Sequence, residues 1–141
     1  MPRFQNIFAC CFIIKDLGPL KYFLGIEVAR GNKGLFPYQH KYALEIIHEY
    51  GLLGATPTDF PIEENHKLAN KHLLKDAAQY RILVGRLIYL TITWLDLVYV
   101  VHILSQFMQA LRVEHMDAAR QVLCYLKGTA DMVFFFLPIT I

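Results

Sequence analysis

The chain has 141 residues, 55% of them hydrophobic and 18% charged, with a formal net charge of +2. This composition excludes a disordered segment, because the apolar side chains suffice for one buried core. The isoelectric point near 8.4 neither demands nor excludes a nucleic-acid partner, and three cysteines (Cys10, Cys11 and Cys124) are too few and too badly spaced for a disulfide framework or a zinc site.

The first third of the chain predicts an apolar stub and then a β-hairpin. Residues 5–14 are apolar but too short to assign as helix or strand. Gly18-Pro19 indicates a turn, and residues 22–29 are typical of a strand. Glycines at positions 31 and 34 flank a tight loop before a second short strand at 35–38.

From Gln39 onward the apolar spacing changes to that of an amphipathic helix. Its apolar side chains recur at helical intervals, and Gly51 is positioned to end it. Residues 54–75 contain Pro57 and Pro61 and a polar, charged stretch, which indicates a linker.

Three further helices and a terminal strand are predicted beyond the linker. Asp76 with Gln79 three residues later predicts a capped helix over 76–93. Asp96 is a candidate N-cap for a second helix to residue 109, and a third spans 113–127 and closes on Gly128. The charge-free residues 132–141 predict a strand. The fold class is therefore α+β and predominantly helical.

Several colinear blocks give the chain a specific family resemblance. They are Lys15-Asp16-Leu17-Gly18-Pro19-Leu20-Lys21-Tyr22-Phe23-Leu24-Gly25-Ile26-Glu27-Val28, Tyr38-Gln39-His40-Lys41-Tyr42-Ala43-Leu44, Tyr80-Arg81-Ile82-Leu83-Val84-Gly85-Arg86-Leu87-Ile88-Tyr89-Leu90-Thr91, Leu104-Ser105-Gln106-Phe107-Met108 and Val122-Leu123-Cys124-Tyr125-Leu126-Lys127-Gly128-Thr129. Together they resemble the reverse transcriptases (RNA-directed DNA polymerases) of copia-type LTR retrotransposons, in the segment after the catalytic aspartates.

The resemblance implies a division of the chain along polymerase lines. Residues 1–53 correspond to the end of the palm, with a primer-gripping hairpin and the helix that follows it. Residues 54–75 are the linker, and 76–130 correspond to the helical thumb and connection. Residues 131–141 correspond to the first strand of a ribonuclease H domain.

The same resemblance assigns the hairpin segment to nucleic-acid binding, through Leu24, Gly25, Ile26 and Glu27. Glycine at position 25 would let the backbone approach a sugar-phosphate chain closely. The competing interpretation from the residues alone is a bulge or a packing constraint in a half-buried strand.

A second candidate nucleic-acid surface lies on the helix predicted over 76–93. Arg81, Gly85 and Tyr89 are spaced i, i+4 and i+8 and therefore share a face, with Arg86 at its flank. By resemblance this face follows the minor groove of a template–primer duplex, the arginines meeting phosphates. The alternative is an ordinary amphipathic helix with Leu83, Leu87 and Leu90 inward and its arginines in solvent.

Catalytic residues are not predicted in this chain. Nucleotide addition needs carboxylates that converge on two Mg²⁺ ions, and the Tyr-x-Asp-Asp turn of the family is expected upstream of Lys15, where only fourteen non-acidic residues stand. The doublet Glu63-Glu64 falls in the polar linker, where a solvated surface explains it. No cofactor is therefore expected, Mg²⁺ belonging to the intact parent enzyme.

The sequence thus predicts a truncated reverse transcriptase (Pol polyprotein) fragment of a transposable element, without polymerase activity alone. Its expected partner is an RNA/DNA template–primer duplex, bound weakly, with no small-molecule substrate and no membrane association, inside the cell in an unspecified compartment. Two alternatives stay open: a residual non-catalytic nucleic-acid-binding module, and a small membrane-associated protein, since residues 87–111 are hydrophobic overall, with Asp96 in their middle and His102 after it.

Overall fold

A computed structural model describes residues 15, 18–31, 34–62, 73–109 and 111–129. The apolar stub at 5–14, the doublet Glu63-Glu64 and the strand predicted at 132–141 lie outside these residues. The described elements are β1 (Tyr22–Phe23), β2 (Ile26–Gly31), β3 (Gly34–Tyr38), α1 (His40–Glu49), α2 (Ala77–Leu90), a 3-10 turn (Leu95–Leu97), α3 (Val98–Gln106) and α4 (Val113–Thr129). This order confirms an α+β chain dominated by helix.

The strands form an antiparallel sheet in the order β1-β2-β3. A single strand over residues 22–29 was the wrong prediction, because the chain reverses at Leu24 and Gly25. Phe23 pairs with Ile26, so Leu24 and Gly25 form a two-residue loop between the strands. Both loop residues have positive φ, 51° at Leu24 and 81° at Gly25. Such a loop matches the twist of the strands that it joins.

The second hairpin has the predicted position. Gly31 pairs with Gly34 at the end of the β2–β3 ladder where the chain passes from one strand to the other. Gly34 has a φ of 139°, which a residue with a side chain rarely adopts.

Helix α1 ends as the sequence indicates. Gly51 has a φ of 69° and follows the C-cap Tyr50. The Gly51 N–H donates to the His48 carbonyl, and the Leu52 N–H donates to the Ile47 carbonyl, each at 3.0 Å. These two bonds satisfy carbonyls that the helix leaves free at its end.

The boundaries of α2 and α3 differ from prediction at the junction between them. Asp76 caps α2 as predicted, its carboxylate accepting the Gln79 N–H at 3.1 Å. The helix ends at Leu90 rather than at 93, and α3 ends at Gln106 rather than at 109. The Asp96 N-cap was a wrong prediction: α3 follows the 3-10 turn without a side-chain cap, and the Asp96 carboxylate accepts the Tyr125 hydroxyl at 2.6 Å instead.

Helix α4 continues through Gly128, which was wrongly predicted to end it. A Cβ at Gly128 would lie 3.0 Å from the Cβ of Pro57, so the absent side chain lets the connector pack against the helix. Lys127 donates to the carbonyls of Leu53 and Ala55. The connector before residue 62 is therefore held against α4.

The described hydrophobic core is built by the four helices and the turns between them. Helix α1 contributes to the same core as the three later helices. The sheet adds none of its residues, and its strands are half-buried or exposed. The buried apolar residues are Ala43, Ile46, Ile47, Tyr80, Leu83, Val84, Leu87, Leu90, Trp94, Leu97, Val100, Val101, Leu104, Leu111, Met116, Ala118, Ala119, Val122, Leu123 and Leu126.

The raised pKa values of two tyrosines predict that the fold is less stable at alkaline pH. The buried Tyr80 hydroxyl donates to the Leu104 carbonyl at 2.8 Å. Burial raises the pKa of Tyr80 to about 12, and burial with the nearby Asp96 carboxylate raises the pKa of Tyr125 to about 12, against 10.0 for an unperturbed tyrosine. The neutral phenols therefore stabilise the fold fully below pH 10, and that stabilisation is lost as the pH rises through 12.

We expect urea unfolding midpoints to fall between pH 10 and 12, and Tyr125→Phe to reduce that fall. Absorbance at 295 nm should show two tyrosines that ionise later than the rest. Ionisation of all tyrosines near pH 10 in the folded protein would contradict this prediction.

Candidate nucleic-acid interface

The structure brings the two predicted halves of the site into contact. The Tyr89 hydroxyl, on α2, donates to the carbonyl of Leu24 in the β1–β2 loop. A Cβ at Gly25 would lie 3.6 Å from the Tyr89 hydroxyl oxygen. The Tyr89 ring also packs edge-on against Tyr42 of α1, with ring centroids 5.3 Å apart. The loop thus rests on the end of α2, and α1 supports the contact.

Helix α2 separates an inward apolar face from an outward face as predicted. Leu83, Leu87 and Leu90 are completely buried, whereas Arg81 and Gly85 are exposed and Tyr89 is half-buried. The outward face is neither strongly polar nor strongly charged, because Ile82 and Ile88 are also about half exposed, at 55% and 47%. Such a face suits a partner that offers both apolar and anionic groups.

Gly85 lies in the middle of α2 with open space above it. A Cβ built there would have no heavy atom within 4 Å outside the helix's own backbone. A glycine inside a helix costs about 1 kcal/mol relative to alanine. In the described part of the chain nothing packs against this position, in contrast to Gly128, which Pro57 contacts.

The two arginines of the predicted surface are both tied to other elements. Arg81 donates through Nε and Nη2 to the Met108 carbonyl, at 3.3 and 3.2 Å. Arg86 donates to the Glu49 carboxylate of α1, and this hydrogen bond raises the pKa of Arg86. Both side chains are oriented by these contacts. Arg86 is moreover neutralised by Glu49, which lowers the attraction that it can exert on a phosphate.

Glu27 makes a contact within the protein that was not expected from its predicted nucleic-acid role. Its Oε1 accepts the Lys41 N–H at 3.1 Å, in the first turn of α1, where a carboxylate is favourable beside unpaired N–H groups. Burial, followed by the charge and hydrogen bond of Glu27, raises the pKa of neighbouring Tyr38. Glu27 therefore joins β2 to α1. Ile26, its neighbour in the loop segment, is half-buried and pairs with Phe23.

Sequence reasoning missed the partners that organise this region. Glu49 is 37 residues before Arg86, and Met108 is 27 residues after Arg81. Spacing along the sequence does not indicate contacts between residues that are so far apart in the chain. The pairing of Tyr42 with Tyr89 is likewise a tertiary contact, although both residues stand in the family-like blocks.

Tyr89 should control how firmly the hairpin is held to the helices. In Tyr89→Phe the bond to the Leu24 carbonyl is lost and the ring contact with Tyr42 is kept. We expect amide hydrogen exchange across 26–31 to accelerate several-fold, with the melting temperature nearly unchanged, because the sheet contributes nothing to the described core.

The matched control is Tyr99→Phe, at a tyrosine that is 72% exposed and far along the chain from the sheet. It should leave exchange in 26–31 unaltered. Equal exchange in wild type and Tyr89→Phe would contradict the assigned contact.

The described residues contain no group of three or more histidine, cysteine or acidic side chains placed to hold a metal ion. No α-helix among them has both the length and the apolarity required to cross a bilayer.

Known proteins that resemble this chain come from plant mitochondria and transposons. It is 39% identical over 120 residues to an uncharacterized mitochondrial protein of Arabidopsis thaliana, covering 84% of this chain and 50% of that protein. It is 38% identical over 122 residues to the retrovirus-related Pol polyprotein from transposon RE1 of Arabidopsis thaliana, covering 85% of this chain and 8% of the polyprotein. The corresponding polyprotein from transposon TNT 1-94 of Nicotiana tabacum is 29% identical over 129 residues, covering 84% of this chain and 10% of the polyprotein.

These alignments show that the chain is homologous to a segment of retrotransposon Pol polyproteins, which confirms that part of the resemblance. The chain spans half of the mitochondrial relative and about a tenth or less of the polyproteins. No family model matches, and no solved structure matches.

Proposed function

We propose that this chain corresponds to the part of a copia-type reverse transcriptase that follows the catalytic turn, and that it holds a template–primer duplex without extending it. Homology to the Pol polyproteins supports the lineage. The contact between the β1–β2 loop and Tyr89 supports the site, because one continuous surface includes both predicted segments.

The observation that carries this proposal is the empty space over Gly85. The helix bears the conformational cost of a glycine there, and no described neighbour uses the space that it leaves. A partner that approaches the helix backbone closely would use it. A nucleic acid is such a partner, since proteins contact it through backbone groups as well as through side chains.

The electrostatics support weak binding. Arg81 is oriented by Met108 and bears no described carboxylate partner, so its charge remains available to a phosphate. Arg86 shares its charge with Glu49, and the whole chain carries a net charge of only +2. A duplex therefore meets few uncompensated cations.

The test is fluorescence anisotropy with a labelled RNA–DNA primer duplex at several salt concentrations. We expect saturable binding whose logarithmic affinity falls linearly with the logarithm of salt, with a slope of about −0.9 for each phosphate neutralised. Arg81→Gln should reduce that slope, while Arg30→Gln, on the sheet, serves as a control of equal charge change. Absent or salt-independent binding would contradict the proposal.

Polymerase activity is expected to be at background in primer extension with Mg²⁺ and deoxynucleotides. The 141 residues contain no Asp-Asp pair, and nucleotide addition needs carboxylates that hold two metal ions together. A duplex-binding chain that extends nothing would fit the proposal. Metal-dependent extension by the purified chain would contradict the proposal that the chain does not extend a primer. It would not contradict the proposed binding surface.

A further inference from the structure

An exposed apolar patch lies at the start of α3. Leu95, Val98 and Tyr99 are spaced i, i+3 and i+4 across the 3-10 turn and the first turn of α3, so they share one face. Their exposed fractions are 64%, 47% and 72%. We call these three residues the 95–99 patch. Exposed apolar groups gathered in this way commonly mark a docking surface.

Across residues 87–111 the only acidic or basic side chain is Asp96, apart from His102. The Asp96 carboxylate is exposed and accepts the Tyr125 hydroxyl, and it keeps its negative charge. A nucleic acid or an acidic peptide is therefore poorly matched to this surface. An uncharged apolar segment fits it.

The end of α4 lies beside this patch. Tyr125 reaches Asp96, which stands directly after Leu95 and one turn before Tyr99. Thr129, the last residue of α4, is four residues beyond Tyr125, or about 6 Å along a helix axis. The chain that leaves α4 therefore starts near the 95–99 patch.

The segment that follows has the composition that the patch requires. Residues 132–141 carry no acidic or basic side chain and include three consecutive phenylalanines, Phe134, Phe135 and Phe136. Ten residues reach at most about 33 Å when extended, more than enough to span a patch of three side chains. Residues 130 and 131 provide the link.

We propose that residues 132–141 dock through their phenylalanines onto the 95–99 patch of the same molecule. The tether makes this docking intramolecular, so it acts at a high effective concentration and competes well with association between chains. The bound segment covers apolar surface that would otherwise promote aggregation. This inference is independent of nucleic-acid binding, because neither Gly85 nor the β1–β2 loop belongs to the patch.

The experiment is site-specific photocrosslinking in the full chain, with p-benzoylphenylalanine in place of Phe135. We expect crosslinks within one molecule, mapped by mass spectrometry to peptides that contain residues 92–99, with a yield independent of protein concentration. The double variant Leu95→Asp/Tyr99→Asp should lower that yield several-fold.

Phe60→Asp provides the matched control, because Phe60 is 71% exposed in the connector that packs near the same end of α4. It should leave the crosslink unchanged. Crosslinks to residues 53–60, crosslinks only between molecules, no crosslink at all, or an equal yield in the double variant would each overturn the proposal.

Discussion

Replacing Gly85 with leucine should weaken duplex binding at least about tenfold, a loss of about 1.4 kcal/mol, while making the protein more stable. No described atom outside the helix backbone lies within 4 Å of a Cβ at this position, so a side chain enters free space in the unbound protein. Leucine is favoured over glycine in a helix by about 0.8 kcal/mol. The same side chain would stand between α2 and a closely approaching duplex.

Gly85→Leu is informative because it should raise the stability of the protein and lower its affinity for the duplex. A substitution that damaged the fold would reduce stability and binding together, whereas a blocked surface reduces binding alone. Urea denaturation gives the first quantity and anisotropy with the RNA–DNA duplex gives the second. If Gly85→Leu binds as well as wild type, the face of Arg81, Gly85 and Tyr89 is not the site.

Gly128→Ala is the matched control for the stability measurement. Gly128 is also helical, but its missing side chain accommodates Pro57 at 3.0 Å from a built Cβ. Closing that gap forces the connector outward, and a poor fit of this size typically costs 1 kcal/mol or more. We expect Gly128→Ala to be destabilised and Gly85→Ala to be stabilised, although the two changes are chemically identical.

The helices were predictable because their signals are local. The buried stripe of α1, which includes Ala43, Ile46 and Ile47, repeats with the period of a helix, and its stop at Gly51 is a backbone requirement. The cap of α2 at Asp76 depends on a residue only three positions away. Signals of this range do not need the rest of the fold.

The features that were not predicted from the sequence depend on tertiary packing or on an unfavourable backbone conformation. Leu24 adopts a positive φ, which leucine seldom does. Gly25 is therefore the one local turn signal in residues 22–29, and a glycine there is equally compatible with a bulge. Gly128 suggests a helix end by itself and becomes a packing site only beside Pro57. The Asp96 carboxylate could cap a helix, yet it pairs with Tyr125, 29 residues away.

The candidate site was predictable in composition but not in organisation. The family resemblance selected Gly25, Gly85 and Tyr89 without knowledge of any contact. It could not show that Tyr89 holds the β1–β2 loop, that Glu27 serves the first turn of α1, or that Arg86 is neutralised. Residues that a motif assigns to a ligand can thus also serve to position one another, and only variants that separate stability from binding distinguish the two roles.

The largest expected loss of stability comes from Thr93→Val, at about 2 kcal/mol. Gln39 stands at the N-cap of α1 and is completely buried, and Thr93 follows α2 with 1% exposed. The Thr93 hydroxyl donates to the Gln39 Oε1 at 2.8 Å. Without that hydroxyl, the Gln39 carbonyl oxygen loses its partner in the core. The Gln39 amide nitrogen already lacks one among the described residues, so the whole amide group would be buried and unpaired.

Adding Gln39→Leu to Thr93→Val should restore most of the lost stability, because the double variant replaces both polar groups with apolar ones of similar shape. Thr93→Ser keeps the hydroxyl and should lose far less than the valine variant. Urea denaturation of the four proteins, with equal m-values, measures each step. A double variant as unstable as Thr93→Val would show that the site needs its hydrogen bond rather than freedom from an unpaired amide. Recovery would show that the stability lost in Thr93→Val comes from leaving the buried Gln39 amide without a partner.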